Sequence, residues 1–190
     1  MQLGNSGLRY GAVPQAVHWL TALFVIAGWL LGQFGDDLPH SMHGTALLVH
    51  MTLGQCVLAL LVLRLAWRFL DPPPPAEATP LGRLVELAAK LSHFALYALL
   101  VAVPFFGIMV QLKRGHDLPL FALWDFASPW PADRPVARAM FSVHSLLADA
   151  LLILAGFHAC AAIVHHYVWR DRTLKRMLPG ASGVGEGASP

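Results

Sequence analysis

The stretch VHSLLADALLILAGFH, residues 143–158, is almost wholly apolar and yet carries a histidine near each end. His144 and His158 are fourteen residues apart. In an α-helix this separation corresponds to a rise of about 21 Å, and the two side chains point within roughly 40° of each other. The stretch therefore predicts a long apolar helix that presents two imidazoles on one face at two heights.

The composition around this stretch is that of an integral membrane protein. Of the 190 residues, 56% are hydrophobic and only 13% are charged, whereas about a quarter are charged in soluble domains. Apolar runs long enough to cross a bilayer must be helical, because backbone polar groups in lipid have no water to bind. The runs are residues 16–34, 45–69, 86–112 and 139–168. We therefore expect an all-α membrane protein, a four-transmembrane-helix bundle.

The chain divides into one such domain and a tail. Residues 1–179 are predicted to form the bundle, and the Gly, Ala and Ser-rich residues 180–190 are predicted to be disordered. The proline-rich stretch 70–82 cannot continue a helix and is expected to be a stiff linker between the second and third segments. Residues 113–138 form the longest loop at the opposite end. Neither cysteine belongs to a CxxC or CxxCH motif, which argues against covalent c-type haem.

Lysine and arginine are unevenly shared between the two ends of this bundle. Nine of the thirteen fall at the end that carries both termini, which we call the inner end, and the others fall at the outer end. The positive-inside rule therefore predicts that both termini are cytoplasmic. Membrane lipid is the expected surrounding. A net charge of +2 without a basic-aromatic patch gives no support for nucleic acid as a partner.

Histidines are placed at matched depths in these segments, where ionisable side chains are unfavourable and usually functional. Because successive segments cross in opposite directions, His18 and His158 fall near the inner end. His50 and His144 fall near the outer end, and His93 lies in the inner half of the third segment. Two layers result, and in each layer the paired imidazoles come from different helices.

Paired imidazoles on facing helices can fill both axial positions of a b-type haem. Two haems about 21 Å apart would fit a hydrocarbon core about 30 Å thick. With both axial positions filled, the available chemistry is transfer of single electrons through the haem edge. Gly32 and Gly54 lie where the absence of a side chain would let a ring approach the backbone. We therefore predict two non-covalent b-type haems held between the helices.

Several other polar residues in these segments have two open interpretations. Arg64 lies fourteen residues after the outer ligand of its segment and is predicted to pair with a haem propionate or with lipid phosphates, and Arg68 lies one turn further. His93 could hydrogen-bond to haem or quinone, or simply pack. His165 is a rival inner ligand seven residues beyond the first choice. Asp149 is expected to hydrogen-bond to a neighbouring helix, with proton transfer as the alternative.

Sequence motifs on all four segments resemble the bacterial cytochrome b561 family of the inner membrane, over about residues 8–179. The motifs are QAVHW, LVHMTLG, VLRLAWR, LSHFALY, VPFFGIM, KRG and, most closely, GFHACAAIVHHYVWRDRTLKRMLPG. The resemblance implies a multi-pass protein of the bacterial inner membrane in which His18 and His158 hold the inner haem and His50 and His144 hold the outer one. It also implies electron exchange with the ubiquinone pool of a respiratory chain. Some members are superoxide oxidases, which pass an electron from periplasmic superoxide to quinone.

Basic residues at the outer end bear on that last activity. Lys113 and Arg114 would attract an anion such as superoxide, would contact quinone or a haem propionate, or would anchor the helix at the membrane interface. Acidic residues share this outer surface and outnumber the bases five to four, which weakens the attraction. They are Asp36, Asp37, Asp117, Asp125 and Asp133.

The leading hypothesis is thus an oxidoreductase, a di-haem cytochrome b that moves single electrons between ubiquinone and an outer donor, with superoxide or a periplasmic redox partner as candidates. One alternative is a cytochrome subunit of a larger dehydrogenase or hydrogenase complex. Another is a haem-free four-helix transporter or metal-binding membrane protein that uses the same histidines.

Overall fold

The computed structural model describes residues 2–75, 77 and 82–179. This part of the chain contains four long helices, all of them apolar and long enough to cross a membrane. They are α1 (Ala12–Phe34), α2 (His43–Leu70), α3 (Arg83–Lys113) and α4 (Arg134–Tyr167). The predicted all-α membrane fold is confirmed. The predicted tail at 180–190, and residues 76 and 78–81 of the predicted linker, lie outside the described residues.

Each helix begins two to five residues before the apolar run that predicted it. The reason is visible at α4, where Asp133 accepts a hydrogen bond from the backbone N–H of Val136 at 3.1 Å and so caps the helix. Pro135 in the first turn has no N–H to satisfy there. Counting apolar residues detects only the lipid-facing part of a helix and omits its polar first turn.

The helices associate as two antiparallel pairs, α1 with α2 and α3 with α4. The two pairs meet at mid-height, where a small cluster of buried side chains joins three helices. The cluster consists of Val57, Leu61, Leu100 and Leu151. Above and below this cluster the pairs diverge, and the space between them forms one cavity toward the outer end and one toward the inner end.

A short β-hairpin follows α3. It lies within residues 113–138, for which the sequence predicted only a loop. Strand β1 (Leu118–Leu120) pairs antiparallel with β2 (Trp124–Phe126). Phe121 and Ala122 in the turn have φ angles of 50° and 57°, a left-handed conformation that sequence patterns rarely reveal for such residues. The hairpin packs against α2 and α3.

The inner end is closed by three segments that are distant in sequence. The backbone N–H of Asn5 donates to the Asp71 carboxylate at 2.7 Å, which joins the N-terminal segment to the end of α2. The buried Arg176 donates to the backbone carbonyls of Leu8 and Pro75, both at 2.8 Å. These contacts hold the segments before α1, after α2 and after α4 together as a polar cap.

Candidate functional site

The outer histidines face each other across the gap between the two helix pairs. The ring centroids of His50 on α2 and His144 on α4 are 6.0 Å apart, with an interplanar angle of 79°. Nδ1 of His50 lies 2.8 Å from the carbonyl oxygen of Gly28, and Nδ1 of His144 lies 2.9 Å from that of Val103. A carbonyl can only accept, so each Nδ1 carries the proton and each Nε2 keeps a lone pair. This is the tautomer that binds a metal through Nε2.

Glycines allow these two imidazoles to lie against the backbone of the neighbouring helix. A Cβ at Gly107 would lie 3.1 Å from Cε1 of His144, and a Cβ at Gly32 would lie 3.2 Å from Cε1 of His50. Any larger residue would push the ring away from its carbonyl partner. The close approach expected at Gly32 is present, although the ring that approaches belongs to His50. Gly54 instead lines the outer cavity, and the nearest atom to a Cβ there is 4.0 Å away.

The inner histidines have side chains rather than carbonyls as neighbours. The ring centroids of His18 on α1 and His158 on α4 are 6.4 Å apart, with an interplanar angle of 69°. His93 on α3 lies 5.2 Å from His158, measured between ring centroids. Arg64 on α2 places Nη1 3.3 Å from Nδ1 of His18 and its guanidinium 5.5 Å from the centre of the Tyr97 ring. All these groups line the inner cavity.

The Arg64 contact has a consequence for the inner site. A guanidinium has no acceptor, so Nδ1 of His18 is the acceptor in this hydrogen bond and its ring proton lies on Nε2. Metal binding through Nε2 requires the opposite tautomer, and therefore requires Arg64 to release Nδ1. A carboxylate such as a haem propionate is a stronger partner for a guanidinium than an imidazole nitrogen is. The arrangement thus suits the predicted propionate role of Arg64.

Both pairs of rings have the spacing that one bridging metal atom requires. A metal–imidazole bond of about 2 Å, plus about 1 Å from the nitrogen to the ring centre, places two such centroids roughly 6 Å apart. The observed values are 6.0 Å and 6.4 Å. Each pair lines a cavity between the helices, with about 1050 Å³ of space at the outer pair and 1190 Å³ at the inner pair when the open mouths are included, which leaves room for a flat macrocycle. The residues present therefore fit b-type haem, and their assignment as ligands stays a prediction.

His165 lies away from the inner cavity. Its Nδ1 contacts the carboxylate of Asp171, and its ring packs edge-on against Trp169 at 4.4 Å. Burial alone would raise the pKa of the Asp171 carboxyl, but hydrogen bonds from Thr173 and His165 outweigh it and hold the pKa below its ordinary value. This cluster stabilises the turn after α4, and a contact of His165 with quinone or a propionate stays a prediction.

Asp149 makes the interhelical hydrogen bonds that the sequence predicts. Its Oδ1 accepts from Nε1 of Trp29 at 2.8 Å and from Nε2 of Gln33 at 3.0 Å, both on α1. Because α1 and α4 otherwise meet at few places, this carboxylate is a principal link between them at the outer end.

Basic side chains collect on one side of the outer end. Arg114 lies over the Phe141 ring at 5.7 Å and lines both the outer cavity and a smaller cavity beside it. The smaller cavity is also lined by His116, Arg134 and Arg138. Lys113 is turned toward the Trp130 ring instead, with Nζ 4.7 Å from the ring centre. The predicted anion-attracting pair is therefore divided, and only Arg114 borders the outer histidines.

Two of the acidic residues expected to oppose this charge are engaged locally. Asp133 caps α4, and Asp117 accepts a hydrogen bond from the backbone N–H of Ser128 at 3.3 Å. The acidic groups thus contribute to local structure, whereas three arginines line the small outer cavity.

Comparison with known proteins decides the family. The family model described as prokaryotic cytochrome b561 matches residues 9–180. The chain belongs to the prokaryotic cytochrome b561 family. It is 31% identical over 175 residues to a Yersinia pestis protein named probable superoxide oxidase CybB, covering 92% of this chain and 98% of the relative. It is 30% identical over 184 residues to cytochrome b561 homolog 2 of Escherichia coli K12, covering 96% and 97%.

Membership of the cytochrome b561 family establishes a membrane haem protein of electron transport, with haem of the b type. A more distant relative, cytochrome b562 of Cereibacter sphaeroides, is 27% identical over 175 residues. The whole bundle is covered by these similarities, so the four helices and their histidines belong to one family domain.

Sequence reasoning missed the groups that orient the outer imidazoles in this cytochrome b561 chain. The carbonyls of Gly28 and Val103 carry no side-chain signal, because every residue has a carbonyl. Gly107, in the VPFFGIM motif, was detectable in principle as a glycine within an apolar helix, where it has a packing reason more often than not. Gln55, a buried polar residue in α2, was also overlooked.

Proposed function

We propose that this cytochrome b561 carries two b-type haems and passes single electrons between ubiquinone and a donor at its outer end, with superoxide as the donor to test first. The observation that carries the proposal is the pair of histidine layers, with ring centroids 6.0 Å and 6.4 Å apart at two heights of one bundle. Haem held by these imidazoles would supply one-electron transfer.

Some residues of this chain would bind the haems, and others would orient these ligands or supply charge and hydrogen bonds. His50 and His144 would hold the outer haem, oriented by the carbonyls of Gly28 and Val103. His18 and His158 would hold the inner haem. In the same cavity Arg64 and Arg68 supply positive charge for its propionates, and His93 supplies a hydrogen-bonding group within reach of a quinone.

Charge at the outer end supports superoxide as the donor. Arg114 borders both the outer histidine cavity and the cavity lined by Arg134 and Arg138. An anion drawn to these groups arrives beside the outer layer. The balanced reaction takes two superoxide anions, one ubiquinone and two protons, and yields two dioxygen molecules and one ubiquinol. The relative named probable superoxide oxidase, which is 31% identical, also supports superoxide as the donor.

We place both termini in the bacterial cytoplasm, since nine of the thirteen lysines and arginines lie at the inner end. The outer arginines then face the periplasm.

The first test is the haem content and the absorption spectra of the oxidised and reduced protein, purified in detergent after expression with a haem supply. Two low-spin b-type haems per chain are expected. One haem would mean that one histidine layer is assigned wrongly, and a folded protein without haem would overturn the proposal.

The second test follows reduction of the haems by superoxide and their oxidation by ubiquinone in a stopped-flow instrument. Arg114→Gln should slow reduction by superoxide by several-fold at low ionic strength, and the difference should shrink as salt screens the charge. The matched control is Lys175→Gln, which removes one positive charge at the inner end. Reduction by ubiquinol without any reaction with superoxide would favour a cytochrome subunit that serves another donor.

A further inference from the structure

The β-hairpin after α3 is held by one side chain of α2. Gln55 is 6% exposed, and its Nε2 donates to the carbonyl of Pro119 at 2.7 Å. The backbone N–H of Phe121 donates to Oε1 of the same Gln55 at 2.6 Å. A single amide therefore satisfies an acceptor and a donor of the hairpin turn, which have no partner in the two-stranded ladder.

The position of Gln55 along α2 sets the depth of this turn. Gln55 is twelve residues beyond His43, where α2 begins, which corresponds to about 18 Å of helix rise. It also lies five residues beyond His50, farther from the outer end. The turn of the hairpin consequently lies near the level of the outer histidines or below it.

The two ends of the hairpin segment remain at the outer end of α3. The backbone N–H of Asp133 donates to the carbonyl of Lys113 at 2.8 Å, and Oγ of Ser128 donates to the carbonyl of Leu112 at 3.0 Å. Nε2 of Gln111 donates to the carbonyl of Asp117 at 3.0 Å where the segment turns inward. The segment thus enters between the helices from the outer end and returns to it.

The two strands of the hairpin differ in the way that such a position requires, since β1 is the more buried and β2 is exposed. Leu118 is 6% exposed and lines the outer cavity together with Gln55. Leu123, Trp124 and Phe126 are exposed apolar side chains, and Leu123 is 74% exposed. Non-helical backbone is tolerated at membrane depth only where protein groups hydrogen-bond to its polar atoms. Gln55 does so for the carbonyl of Pro119 and the N–H of Phe121.

We propose that Gln55 is a positioning residue that seats this re-entrant hairpin between α2 and α3, as the wall that separates the outer haem cavity from lipid and water. The contact that holds the hairpin on Gln55 involves only protein groups. Its effect on the haem rests on the function proposed above.

Spin-label depth in vesicles tests the seat. The label is attached to Leu123→Cys in the full chain, with Cys56→Ala and Cys160→Ala, and its collisions with oxygen and with a water-soluble nickel chelate are compared. With Gln55 present, oxygen collisions should dominate. Gln55→Leu should raise the nickel collision rate several-fold as the turn leaves its seat. Gln55→Glu, which keeps an acceptor for Phe121, should lie between.

Thr52→Val is the matched control for these variants. Its hydroxyl donates to the carbonyl of Leu48 in the same helix at 2.8 Å, so its loss removes a polar group from α2 without touching the hairpin. A label at Leu123 that is already nickel-accessible beside an intact Gln55 would overturn the re-entrant placement. Equal accessibility in the Gln55→Leu and Thr52→Val proteins would overturn the role of Gln55.

A redox titration tests the effect on the haem. Water near a haem favours the charged oxidised form, so Gln55→Leu should lower the potential of the outer haem and leave the inner one unchanged. The outer component is the one absent from His144→Ala protein. A displaced label with an unchanged outer potential would reject the hairpin as a wall of the haem cavity. A protein without haem would reject the proposed function, whereas the label result would still decide the seat.

Discussion

The outer and inner histidine pairs have nearly the same spacing, but different kinds of groups orient them. Outer imidazoles donate to the backbone carbonyls of Gly28 and Val103, whose positions are set by helix geometry. At the inner pair, the neighbours are the charged side chain of Arg64 and the imidazole of His93. The outer site is therefore organised by the fold alone, whereas the inner site can be adjusted by the charge and position of side chains.

This difference predicts which kind of substitution should affect each site. A site organised by backbone groups changes when packing changes, because only a steric push can move the ring from its carbonyl. A site organised by charged side chains changes when charge changes. The predictions below test that contrast.

The largest effect is expected from removing an outer ligand. His144→Ala should reduce the haem content from two to one per chain and leave the inner spectrum intact, since the two layers draw on different residues. Haem content and a redox titration measure this. His40→Ala removes an exposed outer histidine whose ring packs against His43, and this variant should retain both haems. Loss of both haems from His144→Ala would contradict independent layers.

Next in size is a packing change at the outer pair. Gly107→Ala places a methyl group 3.1 Å from Cε1 of His144, so the ring must move or strain, at about 1–3 kcal/mol. Partial loss of the outer haem, or a shift of its potential, is expected. Gly44→Ala is the control, because no atom lies within 4 Å of a Cβ at that position. If the two variants behave alike, the steric account of the outer site fails.

A charge change should act on the inner pair only. Arg64→Gln removes a cation beside His18. The loss of this positive charge stabilises the more positive oxidised haem, so the potential of the inner haem should fall. At an effective dielectric constant of about 20, the change is on the order of 1–2 kcal/mol, or about 40–90 mV. The redox titration should show the outer component unmoved. An equal shift in both components would break the contrast between the sites.

The smallest effect concerns acid stability at the inner end. Hydrogen bonds hold the pKa of Asp171 below its ordinary value, so the ionised carboxylate stabilises the fold at neutral pH. This contribution is present above about pH 4 and is lost as the pH falls through the lowered pKa. Asp171→Asn should therefore lower the free energy of unfolding at pH 7 by on the order of 1 kcal/mol, measured as a lower Tm, and the difference should shrink as the pH falls through the lowered pKa of Asp171.

The control for Asp171→Asn is Asp36→Asn, which alters an exposed carboxylate at the outer end. Its Tm should follow that of the parent protein at every pH. If Asp171→Asn instead keeps its full Tm deficit as the pH falls through the lowered pKa of Asp171, the lost contact with His165 or Thr173 does not depend on the charge of the carboxylate.

Much of this fold could be predicted because lipid imposes simple rules. Apolar runs gave the four helices and their order, and crossing directions gave the depths at which His18 pairs with His158 and His50 with His144. These inferences need only side-chain type and position. The predicted positions of the helix ends were less accurate, because polar caps such as Asp133 carry no hydropathy signal.

The parts that could not be predicted depend on backbone groups and on contacts between distant segments. The carbonyl partners of the outer imidazoles are invisible in a sequence. Three-residue strands with a left-handed turn at Phe121 and Ala122 are too short for an alternating pattern to be recognised. The hydrogen bond that joins Gln55 to Pro119 spans 64 residues, and a single sequence contains no sign of that pairing.

Arg176 has a consequence for the order of assembly during synthesis. Its guanidinium binds the carbonyls of Leu8 and Pro75, which are 168 and 101 residues earlier in the chain. Those early segments reach their final partners only after the ribosome has made nearly the whole described chain. Until then the polar cap of the inner end lacks Arg176, whereas the outer layer is complete once α4 has been made as far as His144. The two sites therefore mature at different times, and the inner one closes last.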